Sequence, residues 1–181
     1  LYANLESSGF ACEHNGNLTN TYYIKKKLVE SGSIFQTSSD TEIILQLVAR
    51  SKKKKLIDKL IDALNQIKGA YSLVILTNKK LIGVRDPFGI RPLVLGEKDG
   101  SPVLASETCA LDMIGAKYIR DVENGEIVII TESGIESIKP FERVSERPCI
   151  FERIYCASPD SIVGNKTVYT YRKALGEQLA N

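Results

Sequence analysis

The chain has 181 residues, 43% of them hydrophobic and 25% charged, with 24 lysines and arginines against 22 aspartates and glutamates. That length bounds one domain, or one domain and the beginning of another, and a net charge of +2 gives no strong field for nucleic acid or a membrane surface. No apolar run approaches the ~20 residues of a membrane span, and Cys12, Cys109, Cys149 and Cys156 contain no C-x-x-C pair that would suggest a zinc knuckle or a thioredoxin motif. Reduced thiols and a cytoplasmic location are expected.

Gly9 to Glu13 is a short, mostly apolar run, expected to be a buried strand that ends in a turn at His14-Asn15-Gly16-Asn17. Leu18 to Glu30 has the spacing of a helix, with Leu18, Tyr22, Leu28 and Val29 apolar and Gly32 as its C-cap. Ser38 or Ser39 suits the N-cap of the next helix. Glu42 stands three residues after Ser39, a capping-box spacing, and Ile43, Ile44, Leu47 and Val48 form the buried face. Lys52 to Lys55 is a basic run without interleaved aromatics, expected to be a solvated helix end. A further helix carries Leu56, Ile57, Leu60, Ile61, Leu64 and Ile67.

The period then changes to that of strands. Ala70 to Leu76 and Lys80 to Val84 are joined by a turn at Asn78-Lys79. Arg91 to Leu95 and Val103 to Ser106 continue the sheet, and Cys109 to Ile114 is a short helix. Lys117 to Val122, Glu126 to Thr131 and Ile135 to Ile138 are strands broken at Asn124-Gly125 and Ser133-Gly134. Helices followed by many antiparallel strands predict a layered α+β fold. Residues 141–148 are charged and irregular, the expected linker, and Cys149 to Ala157 begins a new apolar run in which Cys156 is expected to be a buried strand residue. The chain opens at Leu1 and closes inside a helix-like run, so an internal fragment of a longer protein is expected.

Two polar clusters carry chemistry. Asn15 and Gly16 place a side-chain amide beside an unobstructed backbone N–H, the two parts of an oxyanion hole. Asp40 offers a carboxylate at a helix start, where it could hold an ammonium group. A site for a tetrahedral oxyanion and an α-amine suits amide hydrolysis of a free amino acid such as glutamine, but no nucleophile accompanies it.

Five segments in order, His14 to Asn20, Ile34 to Glu42, Lys68 to Ser72, Arg85 to Leu93 and Ala105 to Asp112, resemble the amidophosphoribosyltransferases, the glutamine phosphoribosylpyrophosphate amidotransferases of purine synthesis. Cys149 to Glu152 and Ser158-Pro159-Asp160-Ser161 look like the junction into that family's second domain. The resemblance implies a four-layer αββα N-terminal-nucleophile hydrolase sandwich over residues 1–140 and a linker over 141–148. Over 149–181 it implies the beginning of a type I phosphoribosyltransferase domain. It also implies glutamine and phosphoribosylpyrophosphate as substrates, ammonia passed between two sites to give phosphoribosylamine, and a homo-oligomer.

By position, the resemblance assigns Asn15 and Gly16 to the oxyanion hole and Asp40 to the α-amine of glutamine. The family's nucleophile is a processed N-terminal cysteine whose own α-amine is the base. None of the four cysteines here fits that role, so this segment alone is expected to be inactive. Cys12 is expected to pack in the core and His14 to fix the Asn15 segment rather than act as base. Magnesium is expected in the transferase domain outside this chain. Cys149 stands where some members ligate a 4Fe-4S cluster, with the partners also outside. Glu13 and Ser158 depart from the family, which usually has a small apolar residue and an arginine there. Other amidotransferases of the same fold, such as asparagine synthetase or glucosamine-phosphate synthase, share part of the pattern, and a non-catalytic binding remnant is the alternative from another class.

Overall fold

The computed structural model describes residues 1–5 and 8–180. Strands β1 (Tyr2–Leu5), β2 (Ser8–Leu18), β3 (Gly69–Thr77), β4 (Leu81–Arg85), β8 (Ile127–Thr131) and β9 (Gly134–Ile138) form one antiparallel sheet in that order. A three-stranded antiparallel sheet has β5 (Val94–Lys98) between β6 (Ser101–Ala105) and β7 (Lys117–Asp121).

The alternation of side chains along each strand sorts the core into three seams. On β8, Ile127 and Ile129 face helices α1 (Thr21–Glu30), α2 (Thr41–Arg50) and α3 (Leu56–Leu64), whereas Val128 and Ile130 face the other sheet. On β5, Leu95 turns inward to the first sheet and Val94 outward to α4 (Thr108–Met113), where Leu111 packs. Helices, sheet, sheet and helix are therefore stacked as the expected αββα sandwich.

The apolar face of α1 differs from the expectation. Ile24 and Leu28 are buried, while Tyr22 and Val29 are exposed, because the helix begins three residues later than Leu18. The face of α2 is as expected, with Ile43, Ile44, Leu47 and Val48 all buried.

Two local expectations are overturned. The His14-Asn15-Gly16-Asn17 segment is no turn. It continues β2 and pairs in unbroken register with β3, Asn15 opposite Ser72 and Gly16 opposite Tyr71. A nine-residue ladder outweighs the local preference of Asn-Gly for a turn. Cys149 to Ala157 is not a strand either. It forms a helical turn that ends in π geometry at Glu152–Cys156, and Cys156 is exposed rather than buried.

Residues 139–149 have no regular structure but are tied along the corner after β4. The N–H of Arg147 donates to Phe88 O (2.8 Å) and that of Cys149 to Ile90 O (3.1 Å). Ser158 to Ser161 docks on the start of α4. The Glu107 carboxylate accepts Ser158 N–H and Ser161 Oγ–H, each at 2.7 Å, and Thr108 Oγ1 accepts Ile162 N–H at 2.9 Å. A small hairpin, β10 (Ile162–Val163) and β11 (Lys166–Thr167), leads into α5 (Val168–Ala180).

Candidate active site

β2 places its residues on two faces. Cys12, His14, Gly16 and Leu18 turn toward the helices, and Glu13, Asn15 and Asn17 turn away from them and are exposed. Among the described residues the Asn15 carboxamide makes no hydrogen bond, so its amide N–H groups are free to donate.

The ladder also fixes where the Gly16 N–H points. In an antiparallel pair, successive N–H groups alternate between neighbours. Thr19 donates to Lys68 O on the β3 side (2.7 Å), whereas Cys12 and Leu18 donate the other way, to Leu1 O (2.8 Å) and to Asp40 Oδ2 (3.0 Å). Gly16 lies in phase with Cys12 and Leu18. Its N–H therefore leaves β3 and points across the edge of β2, beyond the Tyr2–Leu5 stretch that pairs with residues 8–11. A Cβ on Gly16 would sit 2.1 Å from Ala70 O, so only glycine lets the two strands approach this closely.

Asp40 is brought to the same end of β2. Besides holding Leu18 N–H, its carboxylate lies 3.4 Å from His14 Nδ1, and 23% of its side chain remains open to solvent. The His14 ring is only 2% exposed, with Thr41 Oγ1 3.3 Å from Nδ1 and Ala70 O 3.4 Å from Nε2. It is a buried brace between β2, β3 and the start of α2, in line with the expected structural role.

Glu42 is the residue that the sequence misplaced. It closes no capping box with Ser39. Its buried carboxylate reaches further back and accepts Gln36 N–H, Thr37 N–H and the Thr37 hydroxyl at 2.8, 2.8 and 2.7 Å. It thus clamps the loop that delivers Asp40. Burial pushes its carboxyl up, but these donors, helped by Lys25, outweigh burial and hold it below the usual carboxylate value. A depressed folded value means that the stabilisation is present above the unfolded value of about 4.3 and is lost as pH falls through the lower, folded value. Glu42→Gln should therefore cost about 1.5–3 kcal/mol at neutral pH, the worth of a hydrogen bond to a charged group. Thermal melts from pH 7 to 3 should show a shallower acid slope for the variant than for the parent.

The corner after β4 backs this end of the sheet. Arg85 spends its guanidinium on the carbonyls of Gly89, Arg91 and Val122, and burial pulls its pKa down. Gly89 shapes the turn. Gly89 has φ +62, and a Cβ there would meet Asn124 Oδ1 at 2.0 Å.

Cys12 is 2% exposed, and burial pushes its thiol up to about 12. It should resist alkylation at pH 8 in the native protein while exposed Cys156 reacts, a contrast readable by mass spectrometry. Cys149 is half-buried on the segment that follows the corner. Among the described residues no group of three or more His, Cys, Asp or Glu side chains is placed to hold a metal ion. A cluster needs four ligands, so these residues alone do not fit one, nor do they offer a magnesium site. Among the described residues no helix is long and apolar enough to cross a membrane.

The second half of β2 therefore carries an open amide at Asn15 and a strand-edge N–H at Gly16, with the Asp40 carboxylate bonded to Leu18 N–H beside them in the chain. Residues 3–113 match the model of the glutamine amidotransferase domain, and the chain belongs to that family. Within it, the chain is 51% identical to the amidophosphoribosyltransferase of Rhizobium etli over 99% of its own length and 37% of that protein. It is 49% identical to the chloroplastic amidophosphoribosyltransferase of Vigna aconitifolia, over 94% of this chain and 35% of that one. The solved glutamine phosphoribosylpyrophosphate amidotransferase of B. subtilis superposes with a TM-score of 0.95 at 41% identity, covering 99% of this chain and 40% of that structure. The chain thus spans somewhat over a third of the length of the relatives it matches.

Proposed function

We propose that this chain supplies the glutamine site of an amidophosphoribosyltransferase. In that reaction glutamine is hydrolysed and its ammonia displaces pyrophosphate from phosphoribosylpyrophosphate, giving 5-phosphoribosylamine, glutamate and pyrophosphate. The 51% identity to such an enzyme over 99% of the chain carries the proposal, and the geometry of β2 supports it.

A cysteine thiolate from outside these 181 residues attacks the glutamine amide carbon. The carbonyl oxygen becomes an oxyanion beside the Asn15 amide and the Gly16 N–H. Collapse expels ammonia as the α-amine stays on Asp40, and water then releases glutamate from the thioester. A polypeptide of residues 1–181 alone should release no glutamate from glutamine, which a coupled glutamate assay would detect. Residues 149–181 fit the beginning of the phosphoribosyltransferase domain, and Cys149 is retained as a cluster ligand completed only by residues outside this chain. A homo-oligomer is expected by the same likeness.

Asp40→Asn keeps an acceptor for Leu18 N–H but removes the charge. A hydrogen bond to a charged group is worth about 1.5–3 kcal/mol, so KM for glutamine should rise roughly 10- to 150-fold while kcat changes little.

The deciding experiment supplies the intact protein with glutamine and, separately, phosphoribosylpyrophosphate, fructose 6-phosphate, or aspartate with ATP. Pyrophosphate released only with phosphoribosylpyrophosphate supports the proposal. Turnover confined to either other acceptor, or none with any, contradicts it.

A further inference from the structure

We propose that Asp86 is a positioning residue that fastens the oxyanion strand to the segment leaving the sandwich, so that glutamine hydrolysis stays in step with use of the ammonia. This rests on the amidotransferase function proposed above.

Asp86 is fully buried and touches neither Asn15 nor Asp40. On one side its N–H donates to Tyr71 O at 2.9 Å, and Tyr71 is the ladder partner of Gly16. Its carboxylate closes the corner by accepting Phe88 N–H on Oδ1 (2.9 Å) and Ile90 N–H on Oδ2 (3.1 Å). The carbonyls of those two residues hold the departing segment through Arg147 N–H and Cys149 N–H.

A second strut runs in parallel. Ser72, the partner of Asn15, donates its hydroxyl to Arg91 O at 3.3 Å, and the Arg91 guanidinium pairs with Glu152. Both oxyanion residues therefore have ladder partners bonded to the corner of residues 86–91, and that corner grips residues 147–152.

A buried carboxylate is costly unless its hydrogen bonds are made. Burial pushes this one up despite its backbone donors, so it is an expensive way to close a turn. What it provides is geometric. One rigid group fixes two amides, those of Phe88 and Ile90, whose carbonyls in turn hold the departing segment. Where ammonia made at one site is consumed at another, a strand that moved apart from the departing segment would release ammonia to solvent.

Asp86→Ala in the intact protein, read by amide hydrogen exchange and by product ratio, tests this. The amides of Arg147 and Cys149 should exchange about tenfold faster or more, with Leu73 and Ile75 unchanged. Glutamate released per pyrophosphate should rise from one to about three or higher, while turnover on added ammonia stays within about twofold of the parent. Asp86→Asn, which keeps one acceptor oxygen, should give the same pattern at smaller amplitude and serves if the alanine variant does not fold. Unchanged exchange at Arg147 and Cys149 would overturn the proposal, as would a ratio that stays at one while those amides loosen. If the amides loosen but the parent protein uses neither glutamine nor phosphoribosylpyrophosphate, the amidotransferase function is what fails, and the coupling role falls with it.

Discussion

Asn15→Ala should lower glutamine-dependent kcat about 100- to 1,000-fold, the usual cost of losing one oxyanion donor, with little change in KM. The carboxamide is exposed and makes no bond within the described fold, so its loss removes nothing from the core. The melting temperature should stay within the ±0.5 kcal/mol typical of surface substitutions, about 1–2 °C for a chain of this size. Turnover on added ammonia, which bypasses the glutamine site, should be retained. Asn15→Asp should be worse than alanine, because it sets a negative charge where the oxyanion forms. Steady-state assays with glutamine and with ammonium salt, beside a thermal melt, separate this from a general loss of structure.

Gly16→Ala, one residue further along the same strand, should behave in the opposite way and unfold the protein more readily. The added methyl would lie 2.1 Å from Ala70 O and 2.8 Å from Ala70 C, both backbone atoms that no rotamer change can move. β2 and β3 must separate, and they form the ladder on which the first sheet is built. Overpacking costs about 1–3 kcal/mol where side chains can yield; with the Ala70 backbone as the obstacle the upper end applies, a fall of roughly 6–12 °C in melting temperature. Glutamine turnover should fall below that of Asn15→Ala, since the N–H donor is displaced with its strand. Calorimetry on the two variants side by side would show one site residue that is thermally silent and one that is not. Equal melting temperatures for Gly16→Ala and the parent would contradict the strand geometry.

Much of this was legible in the chain because burial leaves a period. The change from helical spacing in Leu56 to Ile67 to strand spacing after Ala70 marked where helices give way to sheet. The continuous apolar run Ile127 to Ile130 is that of a strand covered on both faces. Asn15, Gly16 and Asp40 could be picked out by residue type, an amide and an unobstructed N–H as donors and a carboxylate as acceptor, and Asp40 is bonded to Leu18 N–H, two residues beyond Gly16 on β2. What the sequence could not show is which long-range partner wins. Asn-Gly favours a turn locally, yet pairing with Tyr71 and Ser72, more than fifty residues away, keeps it extended. Glu42 had a capping-box spacing, but the Gln36–Thr37 amides were the nearer unsatisfied donors once α2 packed. Cys156 sat in an apolar run whose residues end on an exposed helical turn. The tie from Asp86 to Arg147 and Cys149 crosses some sixty residues and leaves no local pattern.

The most direct test is a crystal structure of the intact protein in complex with an electrophilic glutamine analogue. The analogue's oxygen should lie about 2.7–3.1 Å from Asn15 Nδ2 and from the Gly16 amide nitrogen, with its α-amine on the Asp40 carboxylate. An analogue bound with that oxygen turned away from β2, or with its amine away from Asp40, would contradict the site described here.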